Sequence, residues 1–162
     1  MTRDELLREL KAAHDESSQA IAGLAEADLT RPGVMEGWSV QDVFDHVAIW
    51  EAEVLKALGQ ARMGKRPTIN DLTDAEIEEQ NQQWLKASKK KPLDKVLADH
   101  AEVRRQMIKQ VEKLTDADLS ATGGWLKNDT LATFIAEEII GHERDHLPHL
   151  LEWRKRVGGE TA

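Results

Sequence analysis

The segment from Phe134 to Trp153 constrains the fold of this chain more than any other, because its apolar residues and histidines recur at the spacing of one helix face. The residues on this face are Ile135, Ile139, His142, His146, Leu150 and Trp153. Charged residues, Glu143 and Arg144 among them, fall elsewhere on the helix. An amphipathic helix buries its apolar face, so the two histidines are predicted to point inward, where an unpaired polar ring is costly. A functional pair is the simplest interpretation, and a hydrogen-bonded core histidine is the alternative for each.

Four earlier segments have the same helical spacing of apolar residues. They cover about residues 2–24, 40–63, 73–85 and 93–114. Capping residues mark the helix starts, and these are Thr2, Ser39, Thr73 and Thr130. Pro148 lies inside the last helix, where it removes a backbone hydrogen bond, so a kink next to His146 is expected.

A faint internal repeat suggests how the helices assemble. Residues 24–30 and 114–120 are similar, and each is followed by a glycine-tryptophan pair and a helix that carries histidine. Two similar helix pairs build a four-helix bundle with one histidine-bearing helix from each half. No segment has the pattern of a β-strand. The chain is therefore predicted to be all-α, a single four-helix-bundle domain over residues 1–162, with an extra short helix before the third long helix.

Charge and composition limit the partners and ligands. The formal net charge is −8 with a pI of about 5.3, which argues against a nucleic-acid partner because phosphate contacts need a basic surface. No signal peptide and no apolar run of about 18 residues is found, so we expect a cytoplasmic protein with no membrane partner. Because cysteine is absent, His, Asp, Glu and water are the ligands left for a metal ion.

The histidines predict a metal site. His142 and His146 lie four residues apart on one helix face, so both rings can reach the same ion, and His149 follows one turn further on. His46, the inward-facing histidine of the helix over residues 40–63, is the best third ligand. Three neutral imidazoles suit zinc or nickel and leave a coordination position open. An ion with an open position lowers the pKa of bound water or activates a thiolate that a cofactor brings.

Residues 142–146 also match the H-E-x-x-H signature of zinc peptidases, in which Glu143 would be the general base. This hypothesis ranks last. The extended signature has glycine at position 149 and histidine at position 152, where this chain has His149 and Glu152. A sheet edge that would hold a peptide substrate is not predicted either.

Two stretches resemble the DinB/YfiT-like superfamily of metalloenzymes. They are residues 37–51, GWSVQDVFDHVAIWE, and residues 141–150, GHERDHLPHL. The order of elements is similar over essentially the whole chain: a helix, the G-W-S turn, a histidine helix, a long third helix and an H-x-x-x-H helix. The length and the region around Trp50 are similar to the ClbS/DfsB branch, some of whose members lack the metal triad.

The resemblance implies an up-down-down-up four-helix bundle, often a homodimer, with a divalent metal held by His46, His142 and His146. It also implies a small-molecule substrate and a low-molecular-weight thiol as cofactor, since relatives include S-transferases that use bacillithiol or mycothiol and a maleylpyruvate isomerase. His149 is not a ligand position in the family, so its coordination stays open.

Two main hypotheses follow. The first is a metal-dependent thiol transferase or hydrolase, whose catalytic residues beyond the metal ligands the sequence does not identify. The second is a non-catalytic small-molecule-binding or stress-resistance protein, whose metal is structural or absent. The candidates for contacts around the triad or its pocket are His149, Trp50, Glu138 and Glu143, with Asp45 as a further candidate, while His14 and His100 are expected to be structural.

Overall fold

The computed structural model describes residues 1–160, which fold into helices joined by short loops. The α-helices are α1 (Arg3–Ile21), α2 (Glu26–Thr30), α3 (Val40–Arg62), α4 (Asp74–Ser88), α5 (Leu93–Glu112), α6 (Asp116–Ser120), α7 (Leu131–Ile135) and α8 (His142–Glu160). Short 3-10 turns lie at Thr68–Asp71 and Gly124–Leu126. Over the described residues we find isolated β-bridges but no strand. None of the helices in this range has both the length and the apolar character to cross a lipid bilayer.

Four long helices build the bundle, as predicted. The last of them is continuous over residues 131–160, because a π-helical segment, Ala136–Gly141, joins α7 to α8. Helix α3 packs against α5, α1 packs against α5 and α8, and the π-helical segment contacts both α1 and α3. The extra helix before the third long helix is α4, which packs on α3 outside the bundle. The all-α four-helix-bundle prediction is confirmed.

The predicted capping residues begin the helices. Thr2, Ser39 and Thr73 each form a capping box with an acidic residue three positions on, and Thr130 accepts a hydrogen bond from the Thr133 amide. These side chains satisfy backbone N–H groups that have no partner within the helix.

The irregularity in the last helix lies away from the proline. Helix α8 continues through Pro148, where a kink was predicted. The irregular hydrogen bonding is instead in the π-helical segment, which ends immediately before His142. This segment turns out to decide which side chains of α8 face the core.

The bundle core is divided into two apolar clusters along its length. One cluster contains Leu6, Leu10, Val54, Met107, Val111, Ile135 and Ile139. The other contains Ile21, Val40, Phe44, Val96, Leu150, Trp153 and Val157. On each long helix, buried or half-buried polar residues lie between the members of the two clusters, namely His14, His46, Glu51, His100, Arg104, His142 and Glu143. A polar layer therefore crosses the middle of the bundle.

Candidate metal centre

Three histidines meet on one side of the polar layer. His46 of α3 brings its Nε2 to 2.9 Å from Nε2 of His142, and His146 Nε2 lies 3.3 Å from the same atom. The ligand-capable nitrogens of the three rings all lie within 4.8 Å of one another. The rings meet edge to face, with centroids 4.8 to 5.2 Å apart. The structure thus brings together the three residues that the sequence proposes as ligands, although His46 and His142 are 96 positions apart in the chain.

The G-W-S turn before α3 positions His46. Gly37 has a φ of 82°, a backbone conformation that glycine adopts without strain, and it turns the chain into α3. The Trp38 ring then meets the His46 ring edge to face, with centroids 5.2 Å apart. Ser39 caps α3 through a buried capping box with Asp42. Each residue of the turn therefore has a part in fixing the start of α3 and the environment of His46.

The π-helical segment positions the other two histidines. A π-helix closes its hydrogen bonds over one more residue than an α-helix, so it shifts the residues that follow by one position around the helix. The buried side chains include Ile135, Ile139 and Ile140 up to the end of this segment, and Glu143, Leu150, Trp153 and Val157 after it. A continuous α-helix would have placed His142 where Glu143 lies. The predicted inward face is corrected accordingly, since Glu143 takes the core position and His142 turns towards α3.

The electrostatic environment keeps the triad neutral. Burial, with the charges of His142 and His146, lowers the pKa of His46 to about 3. Burial and the neighbouring His142 lower the pKa of His146 to about 4, and burial lowers that of His142. Imidazoles with such pKa values carry no proton on the second ring nitrogen at neutral pH, so each has a lone pair to donate.

This donor set fits a divalent transition metal. Nitrogens bound tetrahedrally at about 2.05 Å are separated by about 3.3 Å, which is close to the spacings of 2.9 and 3.3 Å around His142. Hydrogen bonding alone accounts poorly for the cluster, because His142 Nε2 has either one N–H or one in-plane lone pair and faces two neighbouring ring nitrogens. Three neutral imidazoles are the ligand type that zinc, nickel and related ions accept.

A cavity of about 350 Å³ opens beside the triad. His46 and His142 form part of its wall, together with Trp50, Ile69, Asn70, Ile77, Asn81, Phe134, Glu137, Glu138 and Asp145. Helix α4 closes one side, where Asn81 accepts a hydrogen bond of 2.8 Å from the Trp50 indole N–H. The Trp84 ring packs edge to face on Trp50. The cavity is large enough for a small organic molecule next to the histidines.

The other predicted site residues are found in three different places. Trp50 and Glu138 line the cavity, as expected for pocket residues. His149 is exposed and lies outside the histidine group. Glu143 is buried and does not line the cavity. Asp45 is also buried, and both of its carboxylate oxygens accept hydrogen bonds from Lys91, at 2.8 and 3.0 Å.

Glu143 belongs to a buried ion-pair network on the other side of α8. Its carboxylate accepts hydrogen bonds from Arg104, at 2.7 Å, and from His100, at 3.0 Å. Arg104 also donates two hydrogen bonds to Glu51, at 2.8 and 3.1 Å, and one to the carbonyl of Leu10. Burial alone would raise the pKa of Glu143, but the hydrogen bond from His100 and the charge of Arg104 lower it to about 2.

This network argues against the zinc-peptidase interpretation of H-E-x-x-H. A general base must reach a reactant beside the metal, whereas the Glu143 carboxylate is held by Arg104 and His100 inside the core. Glu51 and Arg104 were not predicted as members of a buried site. Their signal was available, because each charged residue occupies a position at helical spacing from buried apolar neighbours.

This chain is similar to known proteins in sequence family and in fold. A family model described as the DinB superfamily matches residues 9–150. No functionally curated protein is significantly similar to this chain in sequence. Among solved structures, the colibactin self-resistance protein ClbS in complex with double-stranded DNA is similar with a TM-score of 0.81 and 15% identity, covering 95% of this chain and 96% of ClbS.

Two further structures have the same fold. The protein described as Sibling Lethal Factor Precursor, DfsB, has a TM-score of 0.83 and 14% identity, covering 97% of each chain. An uncharacterised protein from Escherichia coli UTI89 has a TM-score of 0.81 and 17% identity, covering 97% of this chain and 95% of the other. At these identities the likeness concerns the fold.

One prediction about partners is wrong. The acidic net charge led us to expect no nucleic-acid partner, yet ClbS, which has this fold, is found in complex with double-stranded DNA. Net charge is an average over the whole surface, and a local surface can bind phosphates on a protein whose total charge is negative.

Proposed function

The chain belongs to the DinB superfamily, and we propose that it is a divalent-metal-dependent enzyme of thiol-transferase or hydrolase type. His46, His142 and His146 would hold the ion, with zinc or nickel the best matches to three neutral imidazoles. The observation that carries the proposal is the convergence of three ring nitrogens from two helices beside a cavity.

Three histidine ligands would leave a coordination position of the ion open for a reactant. When bound, an ion held by three protein ligands lowers the pKa of a water or thiol in its open coordination position. The chain's own residues supply the surroundings: Trp50 and Phe134 give the cavity apolar walls that limit access of bulk water, and Asn70 and Asn81 offer amide groups for orienting a bound molecule. A low-molecular-weight thiol is the proposed co-substrate.

Cobalt substitution tests whether the metal position is open. Protein loaded with Co²⁺ is titrated with 2-mercaptoethanol while the near-ultraviolet spectrum is recorded. We expect a new sulfur-to-cobalt charge-transfer band that saturates with thiol, because a three-histidine site has a position left for an exogenous ligand. The same protein without thiol is the reference.

A closed coordination sphere would contradict the proposal. A cobalt spectrum that no thiol or small anion changes would mean that the coordination sphere is closed and the metal structural. If the His46→Ala variant loaded with cobalt shows the same spectrum and the same response to thiol as the wild type, the cobalt lies at another site.

A second candidate is a resistance protein that acts without turnover. It is favoured by the fold shared with ClbS, which is described as a self-resistance protein and is bound to double-stranded DNA in its crystal structure. A gel-shift titration with double-stranded DNA, run with metal-free and zinc-loaded protein, tests it. Binding that persists in the metal-free protein supports this candidate, and no binding at low salt counts against it.

A further inference from the structure

The cavity beside the histidines has a one-sided charge. Glu137, Glu138 and Asp145 contribute carboxylates to its wall, and no arginine or lysine lines it. The remaining polar residues on the wall are two asparagines and two of the three histidines that the proposed function assigns to the metal. The wall therefore carries a formal charge of minus three before any ligand enters.

These three carboxylates belong to side chains that are exposed to solvent at the cavity wall, unlike the buried acidic groups of the core. Glu51, Glu143 and Asp45 each pair with an arginine or lysine. Among the described residues, Glu137, Glu138 and Asp145 make none of the ion pairs or side-chain hydrogen bonds that the structure contains. Burial and the charge of Glu137 raise the pKa of Glu138, which means that a positive charge in the cavity would be favourable there.

A metal ion does not use up this charge. The three histidine ligands bring no negative charge of their own, so a divalent ion adds two positive charges to the site. With three carboxylates on the wall, the cavity keeps a formal charge of minus one. The carboxylates favour a monovalent cation over an anion in the cavity, by an amount that solvent and salt reduce because the three side chains are exposed.

The rest of the cavity wall is apolar and suits an apolar group of a bound molecule. Trp50, Ile77 and Phe134 line it, and the Trp50 indole N–H is already bonded to Asn81. Aromatic rings favour apolar groups and also attract ammonium groups through their π faces.

From this arrangement we propose that the cavity takes a small molecule with an ammonium group next to an apolar or aromatic portion. The proposal deepens the proposed function, on which it rests, by giving the substrate's chemical class. Glu137, Glu138 and Asp145 bind the ammonium end, Trp50 and Phe134 contact the apolar portion, and the reacting group faces His46 and His142.

Matched probes test the class without any turnover. Trimethyl(2-phenylethyl)ammonium, whose quaternary nitrogen has no lone pair for a metal, is titrated by calorimetry into zinc-loaded protein. The anion 3-phenylpropionate and the neutral 3-phenyl-1-propanol are the comparison probes. We expect the cation to bind at least about tenfold more tightly than the neutral probe, with the difference falling as salt is added.

Paired variants locate the effect in the cavity. Glu137→Gln/Glu138→Gln is expected to weaken the cation by roughly threefold to tenfold and leave the neutral probe unchanged. Glu112→Gln/Glu152→Gln removes the same net charge at exposed positions away from the cavity, so it should leave both probes unchanged.

Zinc content, measured on the same samples, separates the two proposals. If zinc binds and the cation has no advantage over the neutral probe, the substrate class is wrong and the metal centre stands. If the control pair weakens the cation as much as the cavity pair, the attraction belongs to the whole surface and the proposal also fails. If zinc does not bind, the metal-dependent function fails, and cation preference in the metal-free protein still decides the class.

Discussion

His142 and Glu143 are neighbours in sequence and have opposite surroundings. Successive residues on a helix point about 100° apart, so one side chain reaches the histidine triad while the other reaches Arg104 in the core. The motif H-E-x-x-H is thus divided between two sites. His142 and His146 belong to the candidate metal centre, and Glu143 belongs to the ion-pair network.

Substituting Glu143 tests this division. In Glu143→Gln we expect zinc binding to be kept and the free energy of unfolding to fall by roughly 1.5–3 kcal/mol, the value of hydrogen bonds to a charged group. A larger loss, of about 3–5 kcal/mol, is expected where a buried charge is left alone, but Glu51 still neutralises Arg104 here. Urea unfolding and zinc titration measure the two quantities.

The opposite outcome would restore a catalytic role to this residue. If Glu143→Gln leaves stability unchanged and abolishes turnover with zinc retained, the carboxylate acts at the metal. Glu102→Gln is the matched control. It breaks an exposed ion pair with Arg105, so it should change stability little.

The pairing of His142 and His146 could be predicted because their spacing within one helix is local information, and His46 was joined to them through the predicted bundle and the family resemblance. The ion-pair network could not, since it requires knowing that Glu51, Arg104 and Glu143 fall at the same level of three different helices. Charged residues at core positions of a helical pattern were the available signal, and His100 was the one member whose structural role was expected.

At the scale of elements, the π-helical segment Ala136–Gly141 lets two halves of one helix bury different faces. Sequence periodicity could locate this helix and its N-cap, because apolar spacing and capping residues are local patterns. Periodicity could not reveal the extra residue per turn in the π-helical segment, since α-helical and π-helical hydrogen bonding are both compatible with this sequence. The π-helical segment lies between Ile135, which packs in one cluster, and Leu150, which packs in the other.

A deletion tests the role of this segment. Removing Glu137 allows a regular α-helix that keeps both halves in phase, because the π-helix holds one residue more per hydrogen-bonded turn. We expect the deletion to keep zinc binding and most of the thermal stability. Deleting the exposed His149 from regular α8 instead turns Trp153 and Val157 by about 100° out of the core, so it should unfold the protein at a much lower temperature.

Melting curves with and without zinc measure both effects. Equal damage from the two deletions would mean that the π-helical segment has no special tolerance. Glu137→Ala controls for the loss of the side chain.

At the scale of the whole molecule, two apolar clusters enclose a polar layer that contains both the candidate metal centre and the ion-pair network. Bundle topology could be predicted, because four amphipathic helices have few ways to bury their faces. The presence or absence of a nucleic-acid partner could not be predicted from net charge, as the complex of ClbS with DNA illustrates. The homodimer and the cytoplasmic location stay predictions.

The central claim is that His46, His142 and His146 form one metal site across the bundle, and metal content measures it directly. Protein purified without chelator and equilibrated with Zn²⁺ is analysed by inductively coupled plasma mass spectrometry, beside His46→Ala and His149→Ala. We expect about one ion per chain in the wild type and in His149→Ala, and a loss of nearly all bound metal in His46→Ala. A folded His46→Ala protein that keeps its full complement of metal would contradict the account.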